Sequence, residues 1–95
     1  MIQCFKGKSA KALWEGKRSK LPSNILQRAA DKLSILHAAT SIDSLRIPPS
    51  NHLEILSGNR KGQHSICINS QWRICFRWED GNAYDVEITD YDKPR

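Results

Sequence analysis

The sequence predicts a compact α+β fold, with an N-terminal strand and two helices packed on an antiparallel β-meander. Apolar residues recur at helical spacing before Pro48-Pro49 and at period two after it. Glycine- and asparagine-bearing turn sequences separate the later runs. With 95 residues the chain is long enough for one small core and too short for two, so residues 1–95 are expected to form a single domain.

Met1–Phe5 is short and apolar enough for an edge strand. Ala10, Leu13 and Trp14 then follow helical spacing until Gly16 stops the turn, and Lys17-Arg18-Ser19-Lys20 forms a basic connection. A second helix begins at Pro22, a residue favoured in a first helical turn, and runs to near Ala39. Its apolar stripe is Leu26, Ala29, Leu33 and Leu36, with Arg28, Asp31 and Lys32 off the stripe. Paired prolines fit neither a helix interior nor a central strand, so Thr40–Ser50 is expected to be a loop or isolated turn pinned to the core by Leu45 and Ile47.

Strands are expected at Leu53–Leu56, Gln63–Asn69, Trp72–Trp78 and Ala83–Thr89, joined by Ser57-Gly58-Asn59, Ser70-Gln71 and Asp80-Gly81-Asn82. His64, Ile66 and Ile68, then Trp72, Ile74, Phe76 and Trp78, then Tyr84, Val86 and Ile88 share one parity. If all face the helices, each hairpin pairs residues whose numbers sum to an even value, since a one-residue slip flips the whole set. That register puts Arg77 opposite Asp85, and Arg73 opposite Thr89 and Cys67. Arg77 then has an acid across from it and Arg73 has none, on a face open to solvent or ligand. Such a platform suits phosphate, because a guanidinium presents a planar fork of donors. Tyr91 shares the odd parity if the last strand continues, and would lie near Arg73. His64, on the core parity, reads as a half-buried structural histidine.

The net charge is +5, unevenly spread: residues 1–50 hold nine Lys/Arg against three acids. Arg60, Lys61, Arg73 and Arg77 occupy a window without a carboxylate, and Glu79, Asp80, Asp85, Glu87, Asp90 and Asp92 follow without a base. A basic chain of this size meets an anionic polymer more readily than an acidic small molecule, although a solvated lysine face gives the same count. Cys4, Cys67 and Cys75 form no CxxC pair, and Met-Ile-Gln-Cys-Phe-Lys lacks the apolar run of a signal peptide. A cytoplasmic chain with reduced thiols is expected, with Cys67 and Cys75 buried as small hydrophobes. His37, His52 and His64 have no metal-ligand spacing and no segment approaches a membrane span, so no metal, cofactor or membrane role is expected.

Three segments in order, Gly58-Asn59-Arg60-Lys61-Gly62-Gln63-His64-Ser65-Ile66, Asn69-Ser70-Gln71-Trp72-Arg73-Ile74-Cys75-Phe76 and Val86-Glu87-Ile88-Thr89-Asp90-Tyr91, resemble the signature segments of HigB toxins in the RelE/ParE superfamily. The resemblance runs nearly end to end. It implies a RelE-like fold and a ribosome-dependent endoribonuclease that cuts messenger RNA in the A site. It also implies a helix-turn-helix, HigA-like antitoxin as partner, with operator DNA met only through that antitoxin.

Attack of a ribose 2′-hydroxyl on the adjacent phosphate needs a proton acceptor, a donor for the leaving oxygen, and positive charge for the phosphorane. Arg73 fits the last role. Tyr91 fits base stacking or alignment of the hydroxyl, although a surface aromatic closing the last strand explains it almost equally well. Some relatives carry a histidine as general base at the position of Glu54 and a lysine at that of Ser57, and their terminal Asp-Tyr-His is Asp-Tyr-Asp here. Glu54 is therefore the candidate base, with Asp90 and Asp92 as further carboxylates that could take the role. Arg18, Lys20, Arg60 and Lys61 are candidate phosphate contacts to ribosomal RNA. Two other classes stay open: a ParE-like inhibitor of DNA gyrase, which needs no acid–base pair, and an RNA-binding module without catalysis.

Overall fold

The computed structural model describes residues 1–58 and 62–90. Two helices, α1 (Ser9–Trp14) and α2 (Leu26–Ala38), precede a four-stranded antiparallel sheet in sequential order. Its strands are β1 (Glu54–Ile55), β2 (Gln63–Cys67), β3 (Trp72–Glu79) and β4 (Asn82–Asp90). The α+β class and the meander follow the sequence expectation.

The N-terminal segment does not form a regular strand. It meets β4 at two isolated parallel bridges, Ile2 with Ala83 and Phe5 with Val86, and so still covers that sheet edge. His37 Nδ1 accepts from the Ile2 amide at 3.2 Å, tying this segment to α2. α1 closes as the glycine predicts: Gly16 takes φ +75, and the Lys17 amide reaches back to the Ala12 carbonyl at 2.8 Å. α2 starts later than Pro22 suggests, because Ser23–Ile25 form a single 3-10 turn first. Ala29, Leu33 and Leu36 are fully buried against Ile66, Ile74, Phe76 and Val86. Lys32, expected off the apolar stripe, is buried as well. Between α2 and β1 the chain makes two 3-10 turns, Ile42–Arg46 and Pro49–Asn51. Leu45 pins this stretch to the core, but Ile47 is 75% exposed and pins nothing.

The β2–β3 hairpin keeps the expected register, with Ile66 opposite Ile74 and Cys67 opposite Arg73. Asn69 builds its turn by accepting from the amides of Gln71 and Trp72, each at 2.8 Å. The far half of the β3–β4 pairing is also as expected, with Arg73 opposite Thr89. The near half slips by one residue: Arg77 faces Tyr84 rather than Asp85. The extra residue is a β-bulge on β4, where Asp85 takes φ +54. The slip removes Tyr84 from the core face and gives its place to Ala83, which is fully buried. Asp85 keeps its partner, since its Oδ2 still accepts from Arg77 Nε at 3.1 Å. His64 sits half-buried and stacked on Phe76 at 6.0 Å, with its Nδ1 enclosed and lacking a partner. Burial holds its pKa below the ordinary histidine value by penalising the charged ring.

Candidate functional site

Arg73 marks the site but not in the way its parity suggested. The strand alternation puts it on the face opposite Ile74 and Phe76, as expected, yet the residue is only 6% exposed. Pairing of β1 with β2 sets Glu54 opposite Ser65, and the chain before β1 folds over the same edge. Arg73 Nε donates to Ser65 Oγ at 2.9 Å, one terminal nitrogen donates to the His52 carbonyl at 2.7 Å, and that nitrogen lies 3.8 Å from a Glu54 oxygen. His52 reaches this position through a left-handed backbone, φ 44 and ψ 57, which ends the 3-10 turn and reverses the chain. No acid lies directly across from Arg73, as expected, but the expectation of an arginine on an open face is corrected. A sequence shows what lies across a strand pair but not what a preceding loop folds over it.

Arg73 lines a groove of about 490 Å³ at the β2–β3 turn end of the sheet. The other walls are Arg28 and Lys32 from α2, Ser50 and His52 from the loop, Cys67 and Ile68 from the end of β2, and Asn69 and Ser70 of the turn. Three cations thus converge on a concave surface large enough for a phosphate and part of a nucleotide. Lys32 Nζ donates to Asn51 Oδ1 at 2.6 Å and Ser50 Oγ at 3.3 Å, and Asn51 is fully buried. Cys67 donates its thiol to the Asn69 carbonyl at 2.8 Å, and only Cys75 of the two β-sheet cysteines is fully buried. Sequence reasoning missed Arg28, Lys32 and His52. The one available signal was that Arg28 and Lys32 are four residues apart and so share a helix face.

The other candidates distribute unevenly. Glu54 lies beside Arg73 with its side chain 46% exposed, and does not itself line the groove. Asp90 pairs with Trp72 at the same end of the sheet, and its carboxylate accepts from Gln71 Nε2 at 2.9 Å. Arg18 and Lys20 are exposed, and with Lys8 and Lys17 they line a separate depression of about 300 Å³ that shares no residue with the groove. Tyr91, Asp92, Arg60 and Lys61 lie outside the described residues. Among the described residues no helix is long and apolar enough to cross a membrane.

Fold and groove together define a class: a small basic α+β protein with a cationic, phosphate-sized cleft at one end of a meander. The chain belongs to the family of RelE-like HigB toxins of type II toxin–antitoxin systems, whose match covers residues 3–91. It is 47% identical over 86 residues to Toxin HigB-1 of Vibrio cholerae, covering 88% of this chain and 90% of the relative. It is 37% identical over 92 residues to Endoribonuclease HigB of Proteus vulgaris, covering 96% and 99%. An uncharacterized protein of Haemophilus influenzae is 40% identical over 70 residues, covering 74% and 69%. As a toxin of this type, the chain has an antitoxin as its partner.

Proposed function

We propose that this toxin is an endoribonuclease that cuts messenger RNA on the ribosome by attack of a ribose 2′-hydroxyl on the neighbouring phosphate. The observation that carries the reading is the guanidinium of Arg73, buried and fixed by Ser65, His52 and Glu54 where it lines a groove shared with two further cations. A cation held in place before the reaction stabilises the phosphorane without reorganising as charge develops. The Proteus vulgaris relative, named an endoribonuclease, supports the same reading.

The roles divide as follows. Arg73 neutralises the phosphorane. Glu54, beside it and half-exposed, accepts the proton of the attacking hydroxyl. Tyr91 stacks on a splayed base or aligns the hydroxyl. Arg18, Lys20, Arg60 and Lys61 contact phosphates of ribosomal RNA, away from the groove in the case of Arg18 and Lys20. The antitoxin is a helix-turn-helix protein, through which alone the toxin meets operator DNA, and the setting is the cytoplasm.

The test is to incubate purified toxin with ribosomes programmed with a defined message, and to map the new 5′ ends. Cuts at fixed positions within the A-site codon, absent without ribosomes, are expected. An intact message together with trapped gyrase–DNA complexes in a parallel assay would transfer the chain to the gyrase inhibitors.

A further inference from the structure

Lys32 is buried, yet among the described residues no carboxylate lies within 4.0 Å of its ammonium. Its two acceptors, Asn51 Oδ1 and Ser50 Oγ, are neutral. Asn51 is itself locked, donating through Nδ2 to the carbonyls of Leu45 at 3.0 Å and Ile47 at 3.4 Å. An ammonium has three N–H donors, so these contacts leave one for an anion in the groove. The charged and titratable groups around it are Arg28 and Asp31 on α2, His52 in the loop, Cys67 on β2 and Arg73 on β3. Burial, aided by Arg28 and opposed by Cys67 and Asp31, holds its pKa below the ordinary lysine value. A buried cation without a carboxylate beside it, next to Arg28 on one wall of a groove that Arg73 lines from β3, is poised to meet an anion or to give up a proton.

We propose that Lys32 is a catalytic residue of the groove, the proton donor to the 5′-oxygen that leaves when the phosphodiester is cut. The inference rests on the nuclease reading above. The bond from 2′-oxygen to phosphorus forms and the bond from phosphorus to 5′-oxygen breaks. The 2′-hydroxyl proton passes to Glu54, and a proton of Lys32 Nζ passes to the leaving 5′-oxygen. The products are a 2′,3′-cyclic phosphate and a free 5′-hydroxyl, and Lys32 regains its proton from water. Arg73 cannot take this part readily, since a guanidinium holds its proton across the working range.

The test compares a normal message with one carrying a bridging sulfur in place of the scissile 5′-oxygen, both on programmed ribosomes. A thiolate leaves without being protonated, so the sulfur message needs no proton donor. Lys32→Arg and Lys32→Met are expected to cut the oxygen message about 100-fold more slowly than wild type, and the sulfur message within about tenfold of it. Arg73→Lys is expected to stay slow on both. A second arm uses wild-type protein only: the donor must be protonated, so the rate on the oxygen message falls as pH rises through the lysine's pKa. That fall is absent with sulfur. A Lys32 defect that persists on the sulfur message, or superimposable pH profiles for the two messages, overturns the assignment. If wild-type toxin cuts the oxygen message nowhere, the nuclease reading fails first and takes this one with it.

Discussion

Arg73 and Arg77 stand four residues apart on one strand and one face, and the fold treats them as opposites. Arg77 is 43% exposed in its side chain, between Asp85 and Glu79 at 3.1 Å each, with its guanidinium 5.0 Å over the Tyr84 ring. Arg73 is enclosed, and its partners include a hydroxyl, a backbone carbonyl and, at 3.8 Å, Glu54. The first arrangement neutralises a charge in water, where ion pairs contribute little and salt screens them. The second encloses a charge and fixes its direction. That arrangement holds the guanidinium in the groove that Arg28 and Lys32 also line.

The largest expected effect comes from removing the enclosed member. Arg73→Ala should slow single-turnover cleavage by roughly 100- to 1,000-fold, the usual loss for one preorganised contact to developing charge. It should also lower folding stability by about 2–4 kcal/mol, since Ser65 Oγ and the His52 carbonyl lose their buried donor. Denaturant melts beside the cleavage assay separate the two effects. An Arg73→Ala protein cutting at near wild-type rate would dismantle the comparison.

Next in size is Ser65→Ala. Ser65 is fully buried and accepts from Arg73 Nε, so its loss should destabilise the fold by about 1–3 kcal/mol. Cleavage should fall too, but by less than in Arg73→Ala, because the His52 carbonyl still holds one end of the fork. Equal rate losses in the two variants would mean that orientation, not charge, is what Arg73 supplies.

Glu54→Gln sharpens the contrast by keeping the shape beside Arg73 and removing the carboxylate. The rate at saturating ribosomes should drop while ribosome binding holds, the pattern for a group acting on the chemical step. Full activity would leave Glu54 as a counter-charge to Arg73 and nothing more. The smallest effect belongs to the exposed partner of the pair. Arg77→Ala should leave cleavage and melting temperature close to wild type, with any difference shrinking further in high salt. A rate loss comparable to that of Arg73→Ala would show that the two ends of β3 are not opposites.

Much of this was legible in the sequence, for reasons that can be named. Side chains alternate strictly along a strand, so Trp72 to Trp78 declares by itself that Arg73 and Arg77 share a face. Asn69, Gly81 and Gly16 announce a hairpin turn, a second turn and a helix end through their own local bonding or backbone freedom. These signals are local, acting within a few residues of where they are written. What the tertiary structure alone decided was environment. The bulge at Asp85 exchanged Tyr84 for Ala83 on the core face because one inserted residue inverts the parity of everything beyond it. The Thr40–Leu53 stretch, silent in periodicity, delivered Asn51 to Lys32 and the His52 carbonyl to Arg73. Whether a cation is solvated or enclosed depends on which distant segment packs over it, and no alternation of neighbours along the chain encodes that.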